Sequence, residues 1–329
     1  MKVLLTGALG NIGSSALQEL IRQGHTVRSF DVEHKRNKKR AQDLARHYTF
    51  EQVWGDIRDP KDVAKAVQDQ ECIIHLAFVI PPAVDENLVM ARAVNVDGTL
   101  NLLTAAQQLP IQPKLLFAST LDVFGRTQKL SPPRTLADPV FATDAYTEHK
   151  LLGEAKVKES ELEWAIFRFT DVPPLASRQP HPIMFSIPLD TRFEMLHTHD
   201  AGLAIANGIN SEIWGKTWLI GGGTRCQVRY RDYLNRSMAS AGIGALPESA
   251  FGTEEYCTDW LDTTASEQLL HYQRHSFDEI MADLAKFTAP PAPIRLVMPL
   301  IASSLQRRIF KCFKQGLQIE MINLTHLAP

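Results

Sequence analysis

The chain has 329 residues, 44% hydrophobic and 22% charged, which is the composition of a globular protein able to bury a sizeable core. Its formal net charge of −2 gives no electrostatic basis for binding nucleic acid, so we expect no nucleic-acid partner. No apolar run approaches the 18 or so residues of a membrane span, and the short run at the start does not fit a signal peptide. Four cysteines without metal-ligand spacing favour a reduced, cytoplasmic protein.

A glycine-rich turn near the N-terminus is the most informative local feature. Residues 3–5 form a short apolar strand pattern, glycines follow at positions 7, 10 and 13, and a helix pattern covers 14–23. Strand, glycine turn and helix in this order make the phosphate-binding unit of dinucleotide folds, because backbone N–H groups at the helix start face the anion. We therefore predict nucleotide binding at this turn.

A second strand, 26–30, closes at Asp31, about 20 residues after the glycines. A carboxylate at this point accepts hydrogen bonds from the adenosine ribose and repels a 2′-phosphate, so Asp31 favours NAD over NADP. The basic run 35–40 is interpreted as a solvated helix start, although Lys35 or Arg36 could reach a phosphate.

Strand and helix patterns alternate along the first half of the chain, which predicts an α/β, Rossmann-like doubly wound parallel sheet. The further strands are predicted at 52–56, 72–77, 114–120, 164–169 and 218–220, and the helices at 61–68, 91–108 and 146–160. We assign 1–170 plus about 197–223 to the nucleotide domain, and about 171–196 and 224–288 to a small C-terminal substrate lobe. The tail 289–329 contains a basic amphipathic stretch, for which a domain cap or dimer contact, peripheral membrane association and disorder stay open.

Tyr146 and Lys150 are spaced i and i+4, so a helix places them on one face. A lysine ammonium beside a phenol favours the phenolate and lowers its pKa toward working pH. This makes Tyr146 a candidate acid/base for moving a proton to or from a substrate hydroxyl.

Several motifs in fixed order resemble the extended short-chain dehydrogenase/reductases, in their NAD-dependent epimerase/dehydratase branch. The resemblance covers roughly residues 1–285 and rests on the segments 6–13, 31, 55–57, 75–77, 95–99, 119–125, 146–150, 196–202 and 216–222.

The resemblance implies a role for each matching residue. Thr120, Tyr146 and Lys150 match the catalytic set: the hydroxyl that binds the substrate oxygen, the base, and the lysine on the nicotinamide ribose. The cofactor contacts, besides Tyr146 and Lys150, are expected at Gly7, Gly10, Asn11, Ile12, Gly13, Asp31, Asp56, Ile57, Leu76 and Ala77. Substrate contacts are expected at Phe78, Asp171 and Arg192. His197 and His199 show no third ligand in the sequence, so no metal is expected. The family's habit is a homodimer.

The reaction stays open between two readings. Family resemblance and Arg192 favour a sugar or nucleotide-sugar epimerase or dehydratase. Asp171, which stands where many nucleotide-sugar enzymes have asparagine, and the short segment 171–196 favour a dehydrogenase of a smaller alcohol or ketone. A non-catalytic, cofactor-sensing regulator is the third alternative, and the complete Thr120, Tyr146 and Lys150 set weighs against it.

Overall fold

Seven parallel strands form the central sheet of the computed structural model, which describes residues 1–176 and 182–289. The strands are β1 Lys2–Thr6, β2 Thr26–Asp31, β3 Glu51–Trp54, β4 Cys72–His75, β5 Lys114–Thr120, β6 Trp164–Phe169 and β8 Lys216–Ile220. Their order across the sheet is β3-β2-β1-β4-β5-β6-β8. The predicted doubly wound parallel sheet is therefore confirmed, while the predicted tail lies outside the described residues.

Helices cover both faces of the sheet, because the central strands are apolar on both sides. The helices before β8 are α1 Asn11–Arg22, α2 Lys35–Ala45, α3 Pro60–Val67, α4 Ala83–Glu86, α5 Leu88–Arg92, α6 Gly98–Gln107, α7 Ala145–Glu159 and α8 Thr198–Gly208. One core lies between the sheet and α1 with α8, and a second lies between the sheet and α3 with α6. Local capping agrees with this arrangement: Asp59 caps α3, and Asp144 with Thr147 forms a capping box on α7.

Three of the predicted boundaries illustrate where the structure differs from the sequence pattern. The strand predicted to residue 56 ends at Trp54. The strand predicted to residue 77 ends at His75, because the N–H of Ala77 donates to the Thr6 hydroxyl and not to a neighbouring strand. The helix predicted over 91–108 begins at Leu88 and passes through a wider π-helical turn, Ala93–Asp97.

A smaller layer of structure lies beyond β6. It contains the antiparallel pair β7 Arg192–Glu194 and β9 Gln227–Arg229, together with α9 Tyr230–Ser240, α10 Thr264–Leu270 and α11 Phe277–Thr288. An apolar cluster that includes Phe193, Tyr230 and Ile280 joins β7, β9, α9 and α11, whereas α10 packs against α8 and β8. The division of the chain into a nucleotide domain and a substrate lobe stays a prediction.

Within residues 1–176 and 182–289, no helix has both the length and the apolar character needed to cross a membrane.

A buried ion pair holds α7 against β6 and predicts a large effect on stability. Arg168 Nε and Nη2 donate to the two Glu154 oxygens at 2.8 and 2.7 Å, and the Ser119 hydroxyl donates to the same carboxylate at 2.6 Å. Glu154→Ala leaves the guanidinium buried without its partner, so we expect it to lower the free energy of unfolding by about 3–5 kcal/mol in urea denaturation.

Lys158→Ala is the matched control, because Lys158 contacts the same carboxylate at 3.4 Å from a solvent-exposed position. Its effect should stay below about 1 kcal/mol. Equal losses in the two variants would contradict the role given to the buried pair.

Candidate active site

The glycine turn lies between the end of β1 and the start of α1, where it packs against the chain that leaves β4. Gly7 has a φ of +69°, and a Cβ there would lie 2.8 Å from the backbone nitrogen of Ala77. A Cβ at Gly13 would lie 2.1 Å from the Gly7 carbonyl oxygen. No side chain caps the first turn of α1 at Gly10, so its N–H groups are available to an anion.

Asp31 lies beside this turn at the end of β2. Its carboxylate accepts the N–H of Leu9 at 3.3 Å and the Ser29 hydroxyl at 3.0 Å. Burial raises the pKa of Asp31 to about 7. The carboxyl is thus close to the glycine turn, as the sequence predicts for a ribose-binding group.

The basic residue whose charge acts on Asp31 is one that the sequence argument did not select. Arg40, on α2, is half-buried and donates to the Ser14 hydroxyl at 2.8 Å. Its charge opposes the effect of burial on the pKa of Asp31. Arg40 lies one helical turn after Arg36, and this i,i+4 spacing could have indicated that both side chains share one face of α2.

Two residues near the turn have structural roles. His75 joins three elements, since one ring nitrogen lies 2.8 Å from the Thr6 hydroxyl and the other 2.9 Å from the Thr99 hydroxyl. Burial, with the nearby Lys150 charge, lowers the pKa of His75 to about 3. Asn95 exchanges two hydrogen bonds with the backbone of Val79, at 2.7 and 2.9 Å. Both side chains fix the path of the chain after β4.

The other expected cofactor residues lie along the same edge. Asp56 accepts hydrogen bonds from Arg58, and the hydrogen bond to that guanidinium lowers the pKa of Asp56. Ile57 is buried in the core beneath α6. The Asn11 side chain donates to the Val172 carbonyl at 2.9 Å, which connects the glycine turn to the end of β6.

Thr120, Tyr146 and Lys150 come together at the carboxyl end of β5. Thr120 is the last residue of β5, and its hydroxyl accepts the N–H of Asp122 at 3.2 Å and interacts with the Tyr146 hydroxyl. Tyr146 lies in the first turn of α7 and Lys150 one turn later. Lys150 Nζ donates to the Ala118 carbonyl at 2.7 Å. The structure therefore brings together the three predicted catalytic side chains.

Phe78 completes this cluster. Its ring lies edge-to-face with Tyr146 at 6.1 Å between centroids, and Lys150 Nζ is 3.5 Å from its centroid. Predicted as a substrate contact, Phe78 also forms a cation–π contact with the buried ammonium.

The charges in the cluster differ from the sequence argument. Burial and the nearby Asp122 raise the pKa of Tyr146 well above its usual value, whereas the interaction with Thr120 lowers it. Burial also lowers the pKa of Lys150 to about 7. The expectation that Lys150 lowers the pKa of Tyr146 toward working pH was wrong, because desolvation raises that pKa and also lowers the pKa of Lys150.

Asp122 is a site residue that the sequence argument missed. It follows Thr120 by two residues, and burial together with Asp171 raises its pKa to about 8. A carboxyl group with this pKa is mostly protonated at neutral pH and can act as an acid. Its position just beyond a strand's carboxyl end was the signal that could have identified it.

The two remaining predicted substrate residues differ in their surroundings. Asp171 lies two residues after β6, where Thr258 donates to its carboxylate at 3.5 Å. Its charge adds to burial in raising the pKa of Tyr146. Arg192 is buried: its Nε donates to Asp259 at 2.5 Å, and its other nitrogens donate to backbone carbonyls at 2.9–3.0 Å and to Asp259. The geometry thus gives Arg192 a structural role and does not support binding of a substrate phosphate.

Two curated proteins illustrate what this chain resembles in sequence. A 3-beta-hydroxysteroid dehydrogenase from Mycolicibacterium neoaurum is 34% identical over 158 residues, which cover 46% of this chain and 41% of that protein. A UDP-glucose 4-epimerase from Lactobacillus helveticus is 31% identical over 158 residues, 47% of this chain and 45% of that protein. The chain thus matches less than half the length of these relatives.

Solved structures share the fold over most of the chain. A UDP-glucuronic acid 4-epimerase from Bacillus cereus superposes with a TM-score of 0.73 at 21% identity, covering 88% of this chain and 99% of that one. A UDP-glucose-4-epimerase from Stenotrophomonas maltophila gives a TM-score of 0.75 at 20% identity, covering 88% and 98%. These likenesses confirm the Rossmann-like fold.

The family model described as the NAD dependent epimerase/dehydratase family matches residues 3–172, slightly more than half of the 329 residues. This match agrees with the motifs from the glycine turn to Lys150. The chain belongs to the NAD dependent epimerase/dehydratase family.

Proposed function

We propose that this chain is an NAD-dependent enzyme that oxidises a substrate carbinol carbon by hydride transfer. The observation that carries the proposal is the convergence of Thr120, Tyr146 and Lys150 at the edge of the sheet that also holds the glycine turn. Bound NAD+ supplies the hydride acceptor. Tyr146 takes the hydroxyl proton, and Thr120 holds the oxygen as it becomes a carbonyl.

The residues at the turn fit a dinucleotide. The space that side chains would fill at Gly7 and Gly13 is taken by backbone, and the start of α1 is uncapped. Asp31, at the end of β2, is placed to accept the adenosine ribose hydroxyls, which supports NAD over NADP. Lys150 can exchange the Ala118 carbonyl for the hydroxyls of the second ribose.

The electrostatics of the cluster suggest how Tyr146 is activated. Burial and Asp122 oppose the phenolate, so an additional positive charge is needed beside the phenol. Hydrogen bonds from Lys150 to ribose hydroxyls would help to keep the ammonium charged in its buried position. Proton removal by Tyr146 is therefore coupled to cofactor binding.

A sugar or nucleotide-sugar epimerase or dehydratase is the first candidate reaction. The Lactobacillus relative and the two superposed structures bear names of that kind. Asp122 adds support, because elimination next to a newly formed ketone needs a second acid/base group besides Tyr146.

A dehydrogenase acting on a smaller, uncharged alcohol or ketone is the second candidate. Its specific support is the buried Arg192–Asp259 pair, which leaves Arg192 engaged within the protein. The charge of Asp171 beside Tyr146 also disfavours a diphosphate close to the reacting carbon. The Mycolicibacterium relative is named as a dehydrogenase.

We also propose a location and an assembly for the enzyme: a cytoplasmic homodimer that acts on a small-molecule substrate. The cysteines described as free, Cys72, Cys226 and Cys257, agree with a reducing compartment, and the dimer follows the family's habit. A regulator without catalysis fits less well, because sensing needs no Thr120, Tyr146 and Lys150 set.

The cofactor released by the purified, denatured protein tests this proposal. Near-stoichiometric NAD is the expected result if the enzyme is an epimerase or dehydratase, since such an enzyme reoxidises its cofactor within one turnover. A protein without bound cofactor whose unfolding midpoint rises on addition of NAD would favour the dehydrogenase. If NAD neither remains bound nor stabilises the protein, the proposed function is contradicted. Retained NADP would contradict the role given to Asp31.

Replacing Lys150 by methionine should have opposite effects on stability and on cofactor binding. The pKa of Lys150 is about 7 in the folded state and about 10.4 in the unfolded state. The free-energy cost of burying its charge is therefore complete below pH 7. This cost diminishes as the pH rises from 7 to about 10. Without added NAD, Lys150→Met should therefore unfold at a higher temperature than the parent at pH 6, with the advantage shrinking toward pH 10.

The affinity for NAD should fall about tenfold in the same variant, since a charge-assisted hydrogen bond is lost. Calorimetric titration at pH 7.5 measures it. Lys65→Met, at an exposed position on α3, is the matched control and should change neither quantity. Unaltered NAD affinity in Lys150→Met would show that Lys150 does not reach the cofactor.

A further inference from the structure

Three histidines from two distant segments of the chain come together at the start of α8. His197 caps α8, His199 lies in its first turn, and His275 precedes α11. The rings of His197 and His275 stack 3.8 Å apart, and the ring of His199 lies 4.8 Å from that of His197. One ring nitrogen from each lies within 4.8 Å of the others.

Carboxylates orient two of these rings. Asp200 Oδ1 lies 2.6 Å from His275 Nδ1, while Asp200 Oδ2 accepts the N–H groups of Arg274 and His275 at 3.0 and 2.9 Å. His197 Nδ1 accepts the N–H of His199 at 3.1 Å, which leaves Nε2 of His197 3.2 Å from Asp283. A carboxylate that holds the non-ligating nitrogen of an imidazole, as Asp200 holds Nδ1 of His275, commonly lies next to a bound metal ion.

We propose that His197, His199 and His275 bind a divalent transition-metal ion of the zinc type. The ligand atoms are Nε2 of His275, whose Nδ1 is held by Asp200, one ring nitrogen of His199, and Nε2 of His197. Ligation by His197 moves its ring proton from Nε2 to Nδ1, which breaks the hydrogen bonds to Asp283 and from the His199 N–H. Imidazole is a ligand that suits zinc. The proposal is independent of the hydride-transfer chemistry at Tyr146.

The site must contract to hold the ion. Zinc–nitrogen bonds of about 2.0–2.1 Å in a tetrahedral site place ligand nitrogens about 3.3 Å apart. The largest separation here is 4.8 Å, so the nitrogens move by up to about 1.5 Å and the stacked rings of His197 and His275 tilt apart. His199 is exposed, and rotation of its side chain can provide much of this movement.

A metal ion at this position would connect two parts of the fold. The residue after His197, Thr198, donates to the Asn11 carbonyl at 3.2 Å beside the glycine turn. His275 lies just before α11. Binding would thus stabilise the packing of α11 against the start of α8, next to the cofactor-binding turn.

The test is titration of the full chain, without a polyhistidine tag and after treatment with a chelator. We expect one Zn2+ per chain by calorimetry and elemental analysis, and no binding of Mg2+, which prefers oxygen ligands. At zinc concentrations about a hundredfold above Kd, the unfolding midpoint should rise by about 5 °C.

His199→Ala is the informative variant, because its exposed ring can be removed without disturbing the buried His197. It should retain the parent's unfolding midpoint without zinc and bind zinc at least tenfold more weakly. His47→Ala, at an exposed position after α2, should bind like the parent. Absence of stoichiometric zinc binding, or equal binding by the parent and His199→Ala, would show that the three rings serve only in packing.

Discussion

The burial of the Lys150 ammonium is the constraint on which the rest of the site depends. The side chain passes from α7 to the Ala118 carbonyl in β5, with the ring of Phe78 beneath it. This placement fixes α7 against the sheet, and so it also fixes Tyr146 one turn earlier beside Thr120. The same burial weakens the charge of Lys150 and opposes ionisation of Tyr146. Burial therefore places the proposed catalytic side chains precisely but disfavours their charged forms, and hydrogen-bond acceptors on a cofactor would favour the charged form of Lys150 again.

The parallel sheet explains why distant segments meet in one site. Because all seven strands run in one direction, their carboxyl ends lie along a single edge. Gly7 follows β1, Asp31 ends β2, Thr120 ends β5 and Asp171 follows β6. The glycine turn, the carboxylate proposed to bind the ribose and the proposed acid/base groups are thus neighbours although they are far apart in sequence. The buried Arg168–Glu154 pair keeps α7 in register with this edge.

Features with a local signal could be predicted from the sequence, whereas long-range pairings could not. The strand, glycine turn and helix at residues 3–23 and the Tyr146–Lys150 spacing are local, and the structure contains both. The partner of Arg192 is Asp259, 67 residues away, so no local pattern predicted a buried ion pair there. The same applies to His275. The sequence shows His197 and His199 close together, but not that His275 stacks on His197 and makes a cluster of three histidines. Desolvation of Tyr146 and Lys150 could not be predicted either, because it depends on tertiary packing and not on the spacing of residues in the sequence.

The position of Lys150 in a crystal structure of the protein with NAD tests the central claim most directly. The account predicts the pyrophosphate at the glycine turn and the nicotinamide beside Tyr146. It also predicts that Lys150 Nζ lies within about 3.2 Å of the nicotinamide ribose hydroxyls. A bound cofactor whose nicotinamide lies far from Tyr146, with Lys150 contacting only the Ala118 carbonyl, would contradict the coupling between cofactor binding and the catalytic groups.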